Sequence, residues 1–160
     1  MSYRICFVCM GNICRSPTAE VVMRERLREA GLSDRVAVDS AGTGSWHAGE
    51  PADARAVAIL RDRGYDGDGH LARQFDPGWF AERDLIVAMD NKNLQALRWM
   101  APVGEEAKLT RLRSFDPASR GGDLDVPDPF YGGPDDFVEV LNLIEAACGG
   151  MIEHLRSVLG

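Results

Sequence analysis

Cys9 and Arg15, with five residues between them in the segment CMGNICRS, are the pair in this chain best spaced to do chemistry. Just before them, the apolar and β-branched run Ile5, Cys6, Phe7, Val8 is too short for a helix and predicts a buried strand. Just after them, Ser16 suits a helix N-cap and Pro17 the first helical position, while Ala19, Val22, Met23, Leu27 and Ala30 mark one helical face up to Gly31. Cys9 therefore ends a strand and Arg15 precedes a helix. In such a loop, Met10, Gly11, Asn12, Ile13 and Cys14 turn backbone N–H groups inward beneath the positive end of a helix dipole, which makes an anion site. Arg15 adds a planar fork matched to two phosphate oxygens. The same field favours the thiolate of Cys9, the nucleophilic form of sulfur. Stripped of its strand and helix, the spacing would be weak, and Cys9 would read as the last buried residue of a strand. The loop lacks the Gly-Lys-Ser/Thr ending of a nucleoside-triphosphate loop.

The remaining elements supply the frame for this loop. Val36 to Ser40 predicts a second strand, followed by the Gly- and Pro-rich AGTGSWHAGEP, which suits a functional loop. A helix is expected from Asp53 to Arg63, a third buried strand from Leu85 to Met89, a helix from Asn91 to Met100 and a short fourth strand from Leu109 to Leu112. Between Ser114 and Pro134 lies a long aperiodic stretch. Phe137, Leu141, Ile144, Cys148, Met151, Leu155 and Val158 then form the stripe of a long closing helix, with Gly149 and Gly150 as an expected kink. Alternating strands and helices imply an α/β fold: one four-stranded parallel sheet with helices on both faces and the phosphate-binding loop after the first strand. Ligands of such sheets sit beyond the carboxyl ends of the strands.

The chain has 160 residues, 45% hydrophobic and 27% charged, which fits one domain spanning residues 1–160. With 18 basic against 25 acidic residues, its net charge of −7 argues against a nucleic-acid or anionic-membrane surface. An anion must be caught locally. Cys and His residues show no zinc-finger spacing, so neither a metal nor a cofactor is expected. The run Ile5 to Met10 is too short for a secretory signal, and no apolar stretch reaches the ~18 residues of a membrane span. Free thiols fit a cytoplasmic location, and export by a route without a signal peptide would leave no trace in the sequence.

Several further residues have two readings. Asp76, Asp116 and Asp128 each precede a proline, and any of them could be a turn residue or an acid. Asp90, at the end of the third strand, either orients the loop or caps the next helix. Trp46, Phe130 and Tyr131 suit the aromatic walls of a pocket, although Trp46 could equally anchor its own loop. His47 could be solvated. Cys14, if turned inward, could trap oxidised Cys9 as a disulfide; otherwise it packs beneath the loop. Cys6 and Cys148 are expected in the core.

CMGNICRSPTAE, SAGTGSWHAGEPADARA, HLARQF, AMDNKN and DPFYG occur in the order expected of low-molecular-weight protein tyrosine phosphatases, and the chain resembles that family along nearly its whole length. The resemblance implies hydrolysis of phosphotyrosine-containing proteins, with Cys9 as nucleophile, Arg15 as phosphate clamp and Asp128 as general acid. It also implies that Asn12 fixes the loop, that Ser16 donates a hydrogen bond to Cys9, and that Trp46, Phe130 and Tyr131 stand at the pocket mouth. Arsenate reductases share this type of loop but need relay cysteines after the third strand, and Met89 to Met100 contains none. Protein arginine phosphatases carry Thr where this chain has Ile13. A catalytically silent phosphate-binding module would not need Cys9, Arg15 and Asp128 together.

Overall fold

Alternate residues of the first strand belong to two different cores. In the computed structural model, which describes residues 2–119 and 121–160, β1 (Tyr3–Cys9) sends Ile5, Phe7 and Cys9 to one face of the sheet and Cys6 and Val8 to the other. Cys6 and Cys9, three positions apart in one strand, thus face opposite ways and cannot act as a pair. On the first face lie α1 (Arg15–Glu29) and α4 (Pro134–Leu159), whose buried Val22, Met23, Leu27, Leu141, Ile144 and Met151 close the larger core. The second face is covered by Leu94 and Leu97 of α3 (Asn91–Met100) and by Phe75 and Phe80.

The sheet order is β2 (Val36–Gly42), β1, β3 (Leu85–Ala88), β4 (Leu109–Arg111), with every pairing parallel. The chain leaves β1 toward one edge and returns to the other side of it at β3. Between β1 and β3 the connections therefore diverge, which opens a crevice at the carboxyl ends of the central strands. Cys9, the last residue of β1, stands at this crevice in register with Gly42 of β2. The remaining helix, α2 (Ala54–Asp62), begins at Asp53, whose carboxylate accepts from the Arg55 N–H and caps it.

Two local expectations are corrected. Ser16 does not cap α1: the helix already starts at Arg15, and Cys14 at the cap position makes no side-chain cap bond. The Ser16 hydroxyl is engaged with Cys9 and Asn12 instead, so the first N–H groups of α1 remain open toward the crevice. Pro17 falls third in the helix, where a missing N–H still removes no intrahelical bond. Across the Gly149–Gly150 step α4 continues as one helix of 26 residues. Gly150 is required for close approach: a Cβ there would run into the Phe115 carbonyl, whereas one on Gly149 meets nothing within 4 Å. Hence Gly149→Ala should stabilise the fold by about 0.5–1 kcal/mol and Gly150→Ala should destabilise it by about 1–3 kcal/mol. Denaturant unfolding of the two variants checks this; equal effects would mean that the glycines are not distinguished by packing.

Candidate active site

The loop from Cys9 to Arg15 has its carbonyl groups held from outside. Thr43 N–H donates to the Cys9 carbonyl at 2.8 Å, Gly44 N–H to Met10 at 3.1 Å, Asp53 N–H to Ile13 at 2.8 Å, and both the N–H and the hydroxyl of Thr18 to Cys14 at 3.2 and 2.7 Å. His70 Nε2 lies 2.8 Å from the Asn12 carbonyl. In a planar trans peptide, the C=O of one residue and the N–H of the next point in opposite directions. Outward carbonyls on Cys9, Met10, Asn12, Ile13 and Cys14 therefore turn the N–H groups of Met10, Gly11, Ile13, Cys14 and Arg15 inward. That is a cradle of donors over the N-terminus of α1, and it suits a tetrahedral oxyanion.

Asn12 makes the turn possible. Its φ of 59° is in the left-handed region that asparagine tolerates better than most residues, and both ends of its side-chain amide are bonded. Nδ2 donates to Ser16 Oγ at 2.8 Å and Ser40 Oγ at 3.0 Å, and Oδ1 accepts from the Arg73 N–H at 3.0 Å. The Asn12 N–H donates to Cys9 Sγ at 3.3 Å, and the Ser16 hydroxyl lies 3.0 Å from the same sulfur. Asn12 and Ser16 are completely buried behind the loop, so they support the cradle and do not line it.

The crevice holds a cleft of about 390 Å³ lined by Cys9, Met10, Gly11, Ile13, Cys14, Arg15, Trp46, His47, Asp128, Phe130 and Tyr131. One edge of the Arg15 guanidinium is fixed by Asp90 Oδ2 at 2.6 Å and the Val126 carbonyl at 3.0 Å, and its Nη2 lies 3.5 Å from Asp128 Oδ2. Burial penalises the Arg15 charge, but Cys9, Asp90 and Asp128 outweigh it and raise the pKa. Asp90 satisfies both of its readings, because Oδ1 accepts from the Asn93 N–H and caps α3 while Oδ2 holds Arg15. Of the three Asp-Pro acids, Asp76 and Asp116 accept N–H bonds in short turns elsewhere, and Asp128 faces the cleft.

A family profile described as low molecular weight phosphotyrosine protein phosphatase matches residues 4–158. The chain belongs to that family. A low molecular weight protein-tyrosine-phosphatase of Streptomyces coelicolor is 57% identical over 157 residues, 98% of this chain and 95% of that one. Among solved structures, a protein tyrosine phosphatase of Entamoeba histolytica with Hepes in its active site superposes with a TM-score of 0.93 at 36% identity, over 99% of this chain and all of the other. A drosophila arginine phosphatase superposes with a TM-score of 0.86 at 33% identity, over 94% and 96% of the two chains.

Within this phosphatase family fold, the aromatic residues take different depths. Phe130 is half-buried in the cleft wall, whereas Trp46, 70% exposed and lying over Gly44, and Tyr131, 94% exposed, stand at the rim. His47, which could have been either a pocket residue or a solvated one, lines the cleft against Gly11 and pairs with Glu50 at 3.2 Å. His70 and Ser40 had no assigned role in the sequence either; they begin the segments HLARQF and SAGTGSWHAGEPADARA, which could have drawn attention to them. Among the described residues, no helix is long and apolar enough to cross a membrane.

The four cysteines are free. Burial, reinforced by the negative charge of Asp53, Cys9 and Asp128, pushes the Cys14 thiol up to about 12, and burial does the same for Cys148. At neutral pH Cys14 is therefore a protonated thiol, slow toward external alkylating reagents although it shares the cleft with Cys9. Iodoacetamide at pH 7 should leave Cys14 unlabelled even in a Cys9→Ser variant, with labelling rising only above about pH 10. Peptide mapping checks this, and rapid neutral labelling of Cys14 would contradict the assignment.

Proposed function

We propose that the protein hydrolyses phosphotyrosine in proteins through a phosphocysteine intermediate, acting as one domain of residues 1–160 in the cytoplasm. The reading is carried by one observation: Cys9 Sγ, the inward N–H groups, Arg15 and the Asp128 carboxylate all meet in one cleft. A phosphate monoester dianion sits in the cradle of Met10 to Cys14 with Arg15 bridging two of its oxygens. Sγ attacks phosphorus in line with the tyrosine oxygen; the S–P bond forms as the P–O bond breaks, and Asp128 gives its proton to the departing phenolate. Water then attacks the phosphocysteine, Asp128 takes the proton, and the S–P bond breaks to return Cys9 as a thiolate stabilised by Ser16 and the Asn12 N–H. No metal or cofactor enters these steps.

Substrate choice follows from the walls. Phe130 faces the aryl ring, Trp46 and Tyr131 hold its flanks at the rim, and Ile13 offers an apolar surface in place of the hydroxyl that would help position a phosphorylated guanidinium. Hydrolysis of phosphotyrosine should therefore exceed that of phosphoarginine or reduction of arsenate by at least about 100-fold, measured in parallel. Cys9→Ser should abolish turnover while retaining vanadate binding; multiple-turnover hydrolysis by that variant would remove the nucleophile assignment. Asp128→Ala should lower kcat/KM for phenyl phosphate by about 100-fold or more, and much less for p-nitrophenyl phosphate, whose leaving group needs little protonation.

The same pair of cysteines supports reversible redox control. Peroxide oxidises the Cys9 thiolate to a sulfenic acid, and the Cys14 thiol then displaces water from it to give a disulfide. Peroxide inactivation should be reversed by thiol reductant in the native protein but not in Cys14→Ser, and peptide mapping should find Cys9 linked to Cys14. Unchanged recovery in Cys14→Ser would rule the disulfide out.

A further inference from the structure

Asp128 sits on a segment without regular secondary structure, yet its carboxylate must reach a leaving group held in a loop more than 110 residues earlier, since Arg15 and Val126 alone are 111 apart. Something has to fix the distance between the two. The Asp128 carboxylate accepts from the Phe130 N–H at 3.1 Å, which ties the acid to the backbone of Phe130. The Phe130 carbonyl in turn accepts from Arg55 Nη2 at 3.0 Å. The Arg55 guanidinium centre lies 5.6 Å from the Phe130 ring centroid and 4.6 Å from that of Phe137, within cation–π range of both rings as well as bonded. Its own position is set by a bidentate pair with Asp53, Nε to Oδ1 at 3.0 Å and Nη2 to Oδ2 at 2.9 Å. The Asp53 N–H, finally, donates to the Ile13 carbonyl of the anion loop at 2.8 Å.

We infer that Arg55 is a positioning residue for the general acid: through Asp53 on one side and Phe130 on the other, it fixes the Asp128 segment at its working distance from the Cys9 loop. The inference rests on the proposed acid role of Asp128. Every link is short, and each planar group in it is held at two points. Arg55 lies at the surface with its side chain 44% exposed, and the buried ring it contacts, Phe137, belongs to a small cluster with Ile13, Cys14, Ala56 and Ala72 apart from the main core. A misplaced acid loses proton transfer to a poor leaving group long before the cradle loses its grip on phosphate. Arginine is specifically suited here, since a lysine cannot pair in two-pronged fashion with Asp53.

The test uses Arg55→Met and Arg55→Lys, alone and combined with Asp128→Ala, in the full chain. Kinetics with phenyl phosphate and p-nitrophenyl phosphate are read as kcat/KM, which reports the step that expels the leaving group. Both Arg55 variants should lose about tenfold on phenyl phosphate but less than about threefold on p-nitrophenyl phosphate, with vanadate inhibition unchanged within about twofold. In the Asp128→Ala background, the Arg55 changes should add less than about twofold, because the group they position is already gone. An equal loss on both substrates, a weakened vanadate complex, or full additivity with Asp128→Ala would overturn the positioning role. If Asp128→Ala is itself insensitive to the leaving group, the acid assignment fails and this inference falls with it. Selective loss in Asp128→Ala without selective loss in the Arg55 variants removes the Arg55 role alone.

Discussion

A loop that turns its N–H groups inward must turn its carbonyls outward, and outward carbonyls buried in a protein need donors. This one requirement accounts for much of the surrounding chain. Cys9 and Met10 are served by the loop after β2, Asn12 by His70, Ile13 by the N-terminus of α2 and Cys14 by the first turn of α1. The donors come from segments that share no secondary structure with one another. What they have in common is a place around the carboxyl end of β1, which the parallel sheet and its divergent connections provide.

The same logic extends from backbone to side chains. Asn12 spends both of its amide hydrogens on Ser16 and Ser40 and accepts from the Arg73 N–H, and Ser40 passes its own hydrogen to Glu20 at 2.6 Å. Asp90 divides its two oxygens between the end of α3 and Arg15. Groups of this kind cost stability if left unpaired in the interior, so each substitution among them exposes the next partner to that cost. The helix N-terminus beneath the loop is the deliberate exception, uncapped by any side chain and therefore available to an anion.

How far the chain could be read without its structure depended on range. The β1–loop–α1 unit and the stripe of α4 were legible because strand alternation, helical periodicity and the Cys9–Arg15 spacing are local signals. A helix over Asn91–Met100, with a cap at Asp90 as one reading of that acid, stands where it was expected. Ser16 misled because an N-cap preference is a local tendency, and here a tertiary contact to Cys9 wins. The close packing at Gly150 was not legible, because nothing near it in sequence announces the Phe115 carbonyl lying against it. His70, Ser40, His47 and Arg55 act through partners far along the chain or through a cleft that exists only in three dimensions, and no periodicity encodes such contacts. The family resemblance pointed to Asp128 among three equivalent Asp-Pro steps, which spacing alone could not.

The contacts that hold the anion loop are unusually distant in sequence: His70 meets Asn12 across 58 positions, Asp90 meets Arg15 across 75, and Val126 meets Arg15 across 111. Closing such separations is entropically expensive and comes late as a chain orders itself. During synthesis, CMGNICRS precedes His70, Asp90 and Val126 and waits for all three before its cradle can close. A nascent or truncated chain thus carries the cysteine and the arginine without the fixed guanidinium or the turned carbonyls. The cradle is accordingly complete only once the Val126 segment has joined the loop.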